Sequence, residues 1–299
     1  MIELGIAITL GNTLLLALVF VRHRRFPLPF YGWAGLVLLL IAEGLLFRGI
    51  WPITAYFTPL AWTAYILLVD GMVRAVSGRS RLHDQPRKFF LTALLSIPLW
   101  LIFEAYNLRL ANWTYVGVPI NWAAAMLGYG WSFATITPAI FETADLIEAF
   151  GWFQPARPIV FSKAAQNTMI ACGAACLIMP LLVTQHVGAY LFGLVWVGFL
   201  FLLDPINHRL GGPSLLGDLA DGRRGRFYSL LISGWICAWY WEFWNYWATA
   251  KWHYIFPMFQ RYKIFEMPAL GYLGFLPFAL ECFVMYTTAA CILKIEISR

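Results

Sequence analysis

Residues 62–84 read WTAYILLVDGMVRAVSGRSRLHD, and residues 196–218 read WVGFLFLLDPINHRLGGPSLLGD. Most positions differ. Trp62, Asp70, Gly78, Ser80, Leu82 and Asp84 nevertheless return 134 residues later as Trp196, Asp204, Gly212, Ser214, Leu216 and Asp218. The recurrence extends on both sides of a small insertion, where the offset becomes 138 to 139: Glu104 and Asn107 return as Glu242 and Asn245, Trp113 and Tyr115 as Trp252 and Tyr254, Pro119 as Pro257, and Pro138 with Glu142 as Pro277 with Glu281. An internal period decides the architecture before any single motif does.

The period is set in an apolar chain. Hydrophobic residues make up 61% and charged residues 12%, half of what a soluble domain carries. This excludes an ordinary soluble enzyme, and the net charge of +6 reads as loops held at a cytoplasmic membrane face rather than as a nucleic-acid surface. A spanning helix needs about 20 apolar residues. Nine candidates satisfy that, at 2–22, 31–50, 55–76, 89–107, 122–147, 164–184, 186–204, 227–248 and 269–293. The N-terminus lacks a signal-peptide pattern, and Arg22, Arg24 and Arg25 follow the first apolar run, so that helix reads as retained with its N-terminus outside. With that orientation, 16 of the 21 Lys and Arg fall in inner loops, and only Arg48, Arg109, Lys251, Arg261 and Lys263 fall in outer ones.

The expected fold is therefore an all-α polytopic helix bundle: an N-terminal helix (1–28), a repeat unit of helices 2 to 5 (29–160), and a second unit of helices 6 to 9 (161–299). Four helices per unit is an even number, so the units are parallel and related by a pseudo-twofold axis along the membrane normal. The C-terminus is then cytoplasmic, and the apolar composition with basic inner loops fits a bacterial inner membrane.

This topology sorts the acids by depth. Asp70 and Asp204 lie at the inner helix ends, where ion pairing with Arg74 and Arg209 is the simplest expectation. Asp84 and Asp218 sit in turn sequences and read as helix caps. Glu104 and Glu242 lie near the outer ends, each on one helix face with an amide three residues on. Glu142 and Glu281 are deepest, about 15 Å into the membrane at 1.5 Å per residue for Glu281, each four residues after a proline. A carboxyl kept neutral there is a potential proton donor, or a hydrogen-bonding link between helices. Tryptophans are dense: Trp235, Trp239, Trp241, Trp244, Trp247 and Trp252 fall within 18 residues. An interfacial belt accounts for most of them, although Trp239 and its neighbours begin well inside the eighth helix. Aromatic faces stabilise cations. The five cysteines and five histidines form no metal, haem or catalytic spacing, so neither a metal nor a cofactor is expected.

A helix-borne acid, then Trp-x-Tyr, then Pro-x-x-x-Glu, twice over, resembles the integral-membrane lycopene cyclase domain of heterodimeric and fused carotenoid cyclases. The matching residues are Glu104, Trp113, Tyr115, Pro138 and Glu142, then Glu242, Trp252, Tyr254, Pro277 and Glu281, within 89–146 and 227–293. The chain departs from the paired acids of that family: 139–142 reads AIFE and 278–281 reads FALE. The resemblance implies an enzyme that holds a long isoprenoid or carotenoid-like substrate between its repeats. Glu142 or Glu281 would be the general acid and Glu104 or Glu242 would stabilise or deprotonate the cation. Asn107, Asn245, Trp113, Tyr115, Trp252, Tyr254 and Trp239 would line the substrate's path. Two other classes fit the same composition: an accessory subunit bound to a membrane-protein partner and to lipid, and a transporter with acids near the midplane.

Overall fold

A computed structural model describes residues 1–295; Arg299, counted above among the inner basic residues, lies outside them. The chain is mostly helical. In order it runs α1 (Ile2–His23), α2 (Phe30–Phe47), α3 (Phe57–Ser77), the short α4 (Arg81–Asp84), α5 (Pro86–Leu110), strand β1 (Trp113–Val116), α6 (Trp122–Ala149), α7 (Lys163–Leu182), the short α8 (Gln185–Gly188), α9 (Phe192–Arg209), α10 (Leu215–Ala220), α11 (Gly225–Trp247), strands β2 (Lys251–Tyr254), β3 (Lys263–Ile264) and β4 (Met267–Pro268), a 3-10 turn (Ala269–Gly274) and α12 (Phe275–Ile292).

Among the described residues, six helices are long and apolar enough to cross a membrane: α1, α2, α3, α5, α7 and the 3-10 turn continued by α12. The other three expected spans are present as long helices α6, α9 and α11, but they are more polar. Several of their polar side chains are packed between helices: Glu142, Thr143, Glu242 and Asn245 are all buried. The lipid-compatible surface is carried elsewhere, for example by Leu10, Leu14, Leu15 and Leu18 of α1, all exposed. The seventh span begins at Phe192 rather than 186, because α8 turns the chain first; the ninth begins at 269 as expected, but as a 3-10 turn.

Packing follows the same order in each half. Helix α2 lies on α3, α3 on α6 and α6 on α5; α7 lies on α9, α9 on α12 and α12 on α11. Helix α6 packs on α11 and α5 touches α12, which joins the halves, and α1 lies against α11. Glycine permits the closest approaches. A Cβ on Gly35 of α2 would sit 2.6 Å from Ala64 O and 2.7 Å from Leu68 N of α3, and one on Gly173 of α7 would collide with Gly198 O and Leu202 N of α9. The α3 and α9 contacts stand in the same register as the Trp62 and Trp196 stretches.

Proline shapes α6. Pro138 lies inside the helix and weakens the ladder one turn back. The Ser96 hydroxyl of α5 enters the adjacent rung: it donates to Phe133 O (2.6 Å) and accepts from Thr137 N (3.0 Å), an insertion of the kind that bends helices. At the corresponding crossing, Gly234 of α11 meets Phe275 O and Ala279 of α12.

The strands are the departure from all-α. β1 and β2 pair antiparallel, with Trp113 opposite Tyr254, Thr114 opposite His253, Tyr115 opposite Trp252 and Val116 opposite Lys251; β3 and β4 form a second small ribbon. Segments this short carry no strand signature of their own and exist through their partners.

Candidate functional site

At the end of the bundle capped by the β1–β2 ribbon, the halves enclose a cavity of about 120 Å³. About half of its lining residues are aromatic: Trp62, Trp100, Trp113, Tyr115, Tyr129, Phe133, Trp196, Trp241, Trp252, Tyr254, Phe275 and Phe278; the rest are mainly small or aliphatic, with Thr58, Ser132 and Lys251 the polar members. All four aromatic residues of the recurring Trp-x-Tyr elements are thus in one place. A second cavity, about 250 Å³, lies beyond a wall shared by Trp113, Trp196 and Tyr254.

Glu104 and Glu242 stand behind this wall. Glu104 Oε1 accepts from Trp100 Nε1 (2.8 Å), Trp113 Nε1 (3.3 Å) and the Tyr115 hydroxyl. Glu242 is fully buried, and its Oε1 accepts from the Tyr254 hydroxyl at 2.8 Å, while its Oε2 has no partner. Burial first, and the adjoining carboxylate second, push the pKa of both tyrosines well above the ordinary range, so both hydroxyls stay protonated.

The amides three residues on serve the backbone. Asn107 Nδ2 donates to Trp113 O (2.9 Å), and its Oδ1 accepts from Asn112 N and Trp113 N. Asn245 Nδ2 donates to Trp252 O, and its Oδ1 accepts from Trp252 N, both at 2.9 Å. Each amide therefore fastens its strand to the helix before it. Neither borders the cavity. Trp239 does not border it either; its ring stacks on Tyr272 at 4.1 Å.

The deep pair lies elsewhere. Glu142 is fully buried, within hydrogen-bonding reach of the Asp70 carboxylate and close to Asp145 and Arg81. Glu281 Oε1 accepts from Phe199 N of α9 at 3.2 Å, and its Oε2 is unpaired. Neither glutamate borders the aromatic cavity.

At the opposite end, the ion pairs differ from expectation. Asp70 accepts from Leu82 N (2.8 Å) and Tyr31 Oη (2.7 Å), and Asp204 from Leu215 N (2.7 Å) and Leu216 N (2.9 Å). Both acids bind the loop that follows, because a backbone amide at a helix start is nearer than any arginine. Arg74 pairs with Asp84 instead, and Arg209 with Gln166 and Asn167. Asp84 caps as expected, accepting from Ser80 N; the His83 and Ser80 hydrogen bonds hold its pKa below the ordinary carboxylate range. Asp218 instead pairs with Arg223 and Arg226, and Ser214 caps α10. A polar vestibule of about 760 Å³ opens here, lined by Arg74, Arg79, Arg81, Asp84, Asp145, Glu148 and Arg226. Burial opposes the Arg81 charge, but Asp145, bound through two oxygens, outweighs it and raises the guanidinium's pKa.

The tryptophans are not mainly a belt. Trp33, Trp51, Trp122 and Trp152 are exposed, whereas Trp62, Trp113, Trp239, Trp241 and Trp244 are buried. One acid was also missed by the repeat: Glu43 in α2 accepts from Trp244 Nε1 at 3.0 Å, and it has no counterpart in α7 to draw the eye.

No protein-family model matches the chain, no curated protein is similar to it, and no solved structure matches it.

Proposed function

We propose that this chain is an integral membrane protein that binds a long, apolar, isoprenoid or carotenoid-like molecule in the aromatic cavity between two parallel repeats. The observation that carries this reading is the convergence of Trp113, Tyr115, Trp252 and Tyr254 on one cavity, each tyrosine hydroxyl donating to a glutamate, Tyr115 to the half-buried Glu104 and Tyr254 to the buried Glu242. Ligand pockets are concave, mostly apolar and carry few polar groups, and this one adds aromatic faces able to stabilise a transient cation. In a cyclase-like step, the proton lost from such a cation passes to the Tyr254 or Tyr115 oxygen while the hydroxyl's own proton passes to Glu242 or Glu104. The proton handling is thereby assigned to the acids behind the wall rather than to Glu142 and Glu281.

The nine-span, two-unit topology is part of the proposal. It is supported by the equal packing order of the halves, by Gly35 and Gly173 meeting corresponding α3 and α9 atoms, and by the β1–β2 register, which pairs Trp113 with Tyr254 and Tyr115 with Trp252. The ribbon end is then outside and the vestibule cytoplasmic. Reporter fusions at Gly117 and at Gln85 test this: activity of a periplasmic reporter at Gln85 defeats the orientation.

The decisive experiment is lipid extraction of the purified protein with mass spectrometry. Retention of an isoprenoid, lost or chemically altered in E242Q, supports the reading. Lipid profiles identical to those of an unrelated membrane protein refute it.

A transporter is the second reading, favoured by one observation: an aromatic cavity and a polar vestibule at opposite ends, with Glu142 buried beside Asp70 in the helix that borders both. Proton-coupled flux in proteoliposomes, abolished in E142Q, is its test.

A further inference from the structure

The vestibule at the end away from the ribbon gathers four arginines around one space: Arg74, Arg79 and Arg81 from the end of α3 and the start of α4, and Arg226 from the start of α11. Two of them are seated on aromatic rings of its inner wall. The Arg81 guanidinium lies 5.3 Å from the Phe141 ring centroid and that of Arg226 4.9 Å from that of Phe283, while Tyr286, on the same wall, lies 5.3 Å from Phe141. Both rings are buried, so they are fixed seats, and stacking orients a guanidinium as well as attracting it. The charged ends remain accessible: the side chains of Arg74, Arg81 and Arg226 are 30%, 36% and 26% exposed, and Arg79 is more exposed still.

Most of their donors are unspent. A guanidinium has five N–H groups. Arg81 gives two to Asp145, Arg74 gives one to Asp84 at 3.4 Å, and Arg226 turns one toward Asp218, which is not part of the vestibule wall. Arg79 has no side-chain partner among the described residues. Of the acids on the wall, Asp84 and Asp145 are matched by Arg74 and Arg81, and Glu148 alone lacks an ion pair among the described residues. Four arginines against three acids leave one positive charge over. We propose that the vestibule binds a phosphate group, held by Arg79 and Arg226 with the spare donors of Arg74 and Arg81. A carboxylate offers two oxygens and is served by one planar fork, as Asp145 is by Arg81. A phosphate offers three or more and accepts from several arginines on different helices. It arrives either as the headgroup of an anionic lipid or on a water-soluble molecule. The site lies at the opposite end from the aromatic cavity, so its failure leaves the reading of that cavity untouched.

The test is a calorimetric titration of the full chain in uncharged detergent at fixed ionic strength, in two arms. One arm adds inorganic phosphate, with chloride as its control. The other adds dioctanoyl phosphatidic acid, with dioctanoylglycerol, the same lipid without its phosphate, as its control. Saturable binding in the first arm assigns a water-soluble source, and saturable binding in the second alone assigns a lipid headgroup; either supports the site. R79Q should weaken that binding about five- to tenfold, the scale of one charge-assisted contact at a partly exposed position. Because Arg79 holds no other side chain in place, R79Q should leave the thermal midpoint unchanged, which separates lost binding from lost folding. E148Q, which removes the unmatched acid, should tighten the binding. R87Q removes an exposed arginine that does not line the vestibule and should change nothing. No saturable binding in either arm overturns the proposal. So does binding that R79Q leaves unchanged, or that R87Q weakens as much as R79Q does.

Discussion

Tyr115 and Tyr254 hold corresponding places, but they leave their glutamates in different circumstances. Removing the Tyr115 hydroxyl leaves Glu104 with two indole donors, whereas removing that of Tyr254 leaves Glu242 Oε1 without a hydrogen bond and Oε2 already unpaired. A buried acceptor without a partner costs about 1–3 kcal/mol. Y254F should therefore lower the thermal midpoint of the detergent-solubilised protein clearly, and Y115F by well under half as much; equal shifts would contradict the described partnering. Both tyrosines also set an alkaline limit. Their pKa is raised above the unfolded value of about 10, so their contribution is complete below that pH and is lost as the pH rises toward the raised value. Unfolding midpoints of the wild type should fall above pH 10, and the Y115F/Y254F pair should show a flatter profile. At this scale the sequence was informative wherever acid and aromatic recur together. It was silent about Glu43, whose role comes from what packs against it and not from spacing.

Among the elements, apolar runs located the helices, because a lipid-facing helix must be apolar over its whole length. They did not locate β1 and β2, which depend on a partner about 140 residues away, nor the start of α9, because residues 187–203 form an apolar run with no charge to mark the turn inside it. In the proposed two-unit reading α7 answers to α2, although these helices share little chemistry; what they have in common is one glycine each at the crossing with α3 or α9. That equivalence is testable. A Cβ at Gly35 or Gly173 would meet backbone atoms of α3 or α9, which cannot move aside as a side chain can, while nothing lies within 4 Å of Gly11 or Gly44. Overpacking of this kind costs about 1–3 kcal/mol. G35A and G173A should therefore destabilise by similar amounts in thermal unfolding, and G11A and G44A should be neutral. A harmless G173A would show that α7 and α9 are not held at this approach. Gly117 is the more severe case: its φ of +67° is unfavourable for any side chain, and a Cβ would collide with Thr249 O, so G117A should loosen the ribbon and expose Trp113 and Trp252 to aqueous quenchers.

For the molecule as a whole, the ribbon is where the halves are sewn together at the cavity, and it makes the two-unit architecture a matter of experiment. Thr114 and His253 face each other in the β1–β2 register. Directly opposed residues of an antiparallel pair have Cβ atoms about 4.5–5.5 Å apart, near the roughly 3.5–4.5 Å that a disulfide needs. His253 bonds Glu266, which retains Lys251 when the histidine is replaced. T114C/H253C should therefore cross-link under mild oxidation. With a protease site inserted in the exposed segment around residues 155–160, cleavage of the wild type should give two fragments on a denaturing gel, one per proposed unit, while the oxidised double variant should run as one band until reduced. The wild type is the necessary control, since its five cysteines are free. The same lock addresses access. Trp113, Tyr115, Trp252 and Tyr254 belong both to the ribbon and to the cavity wall, so a molecule entering from the ribbon end must part the two strands. Oxidised T114C/H253C should exchange a bound isoprenoid at least several-fold more slowly than its reduced form; equal exchange rates would place the entrance between the helices, on the lipid side.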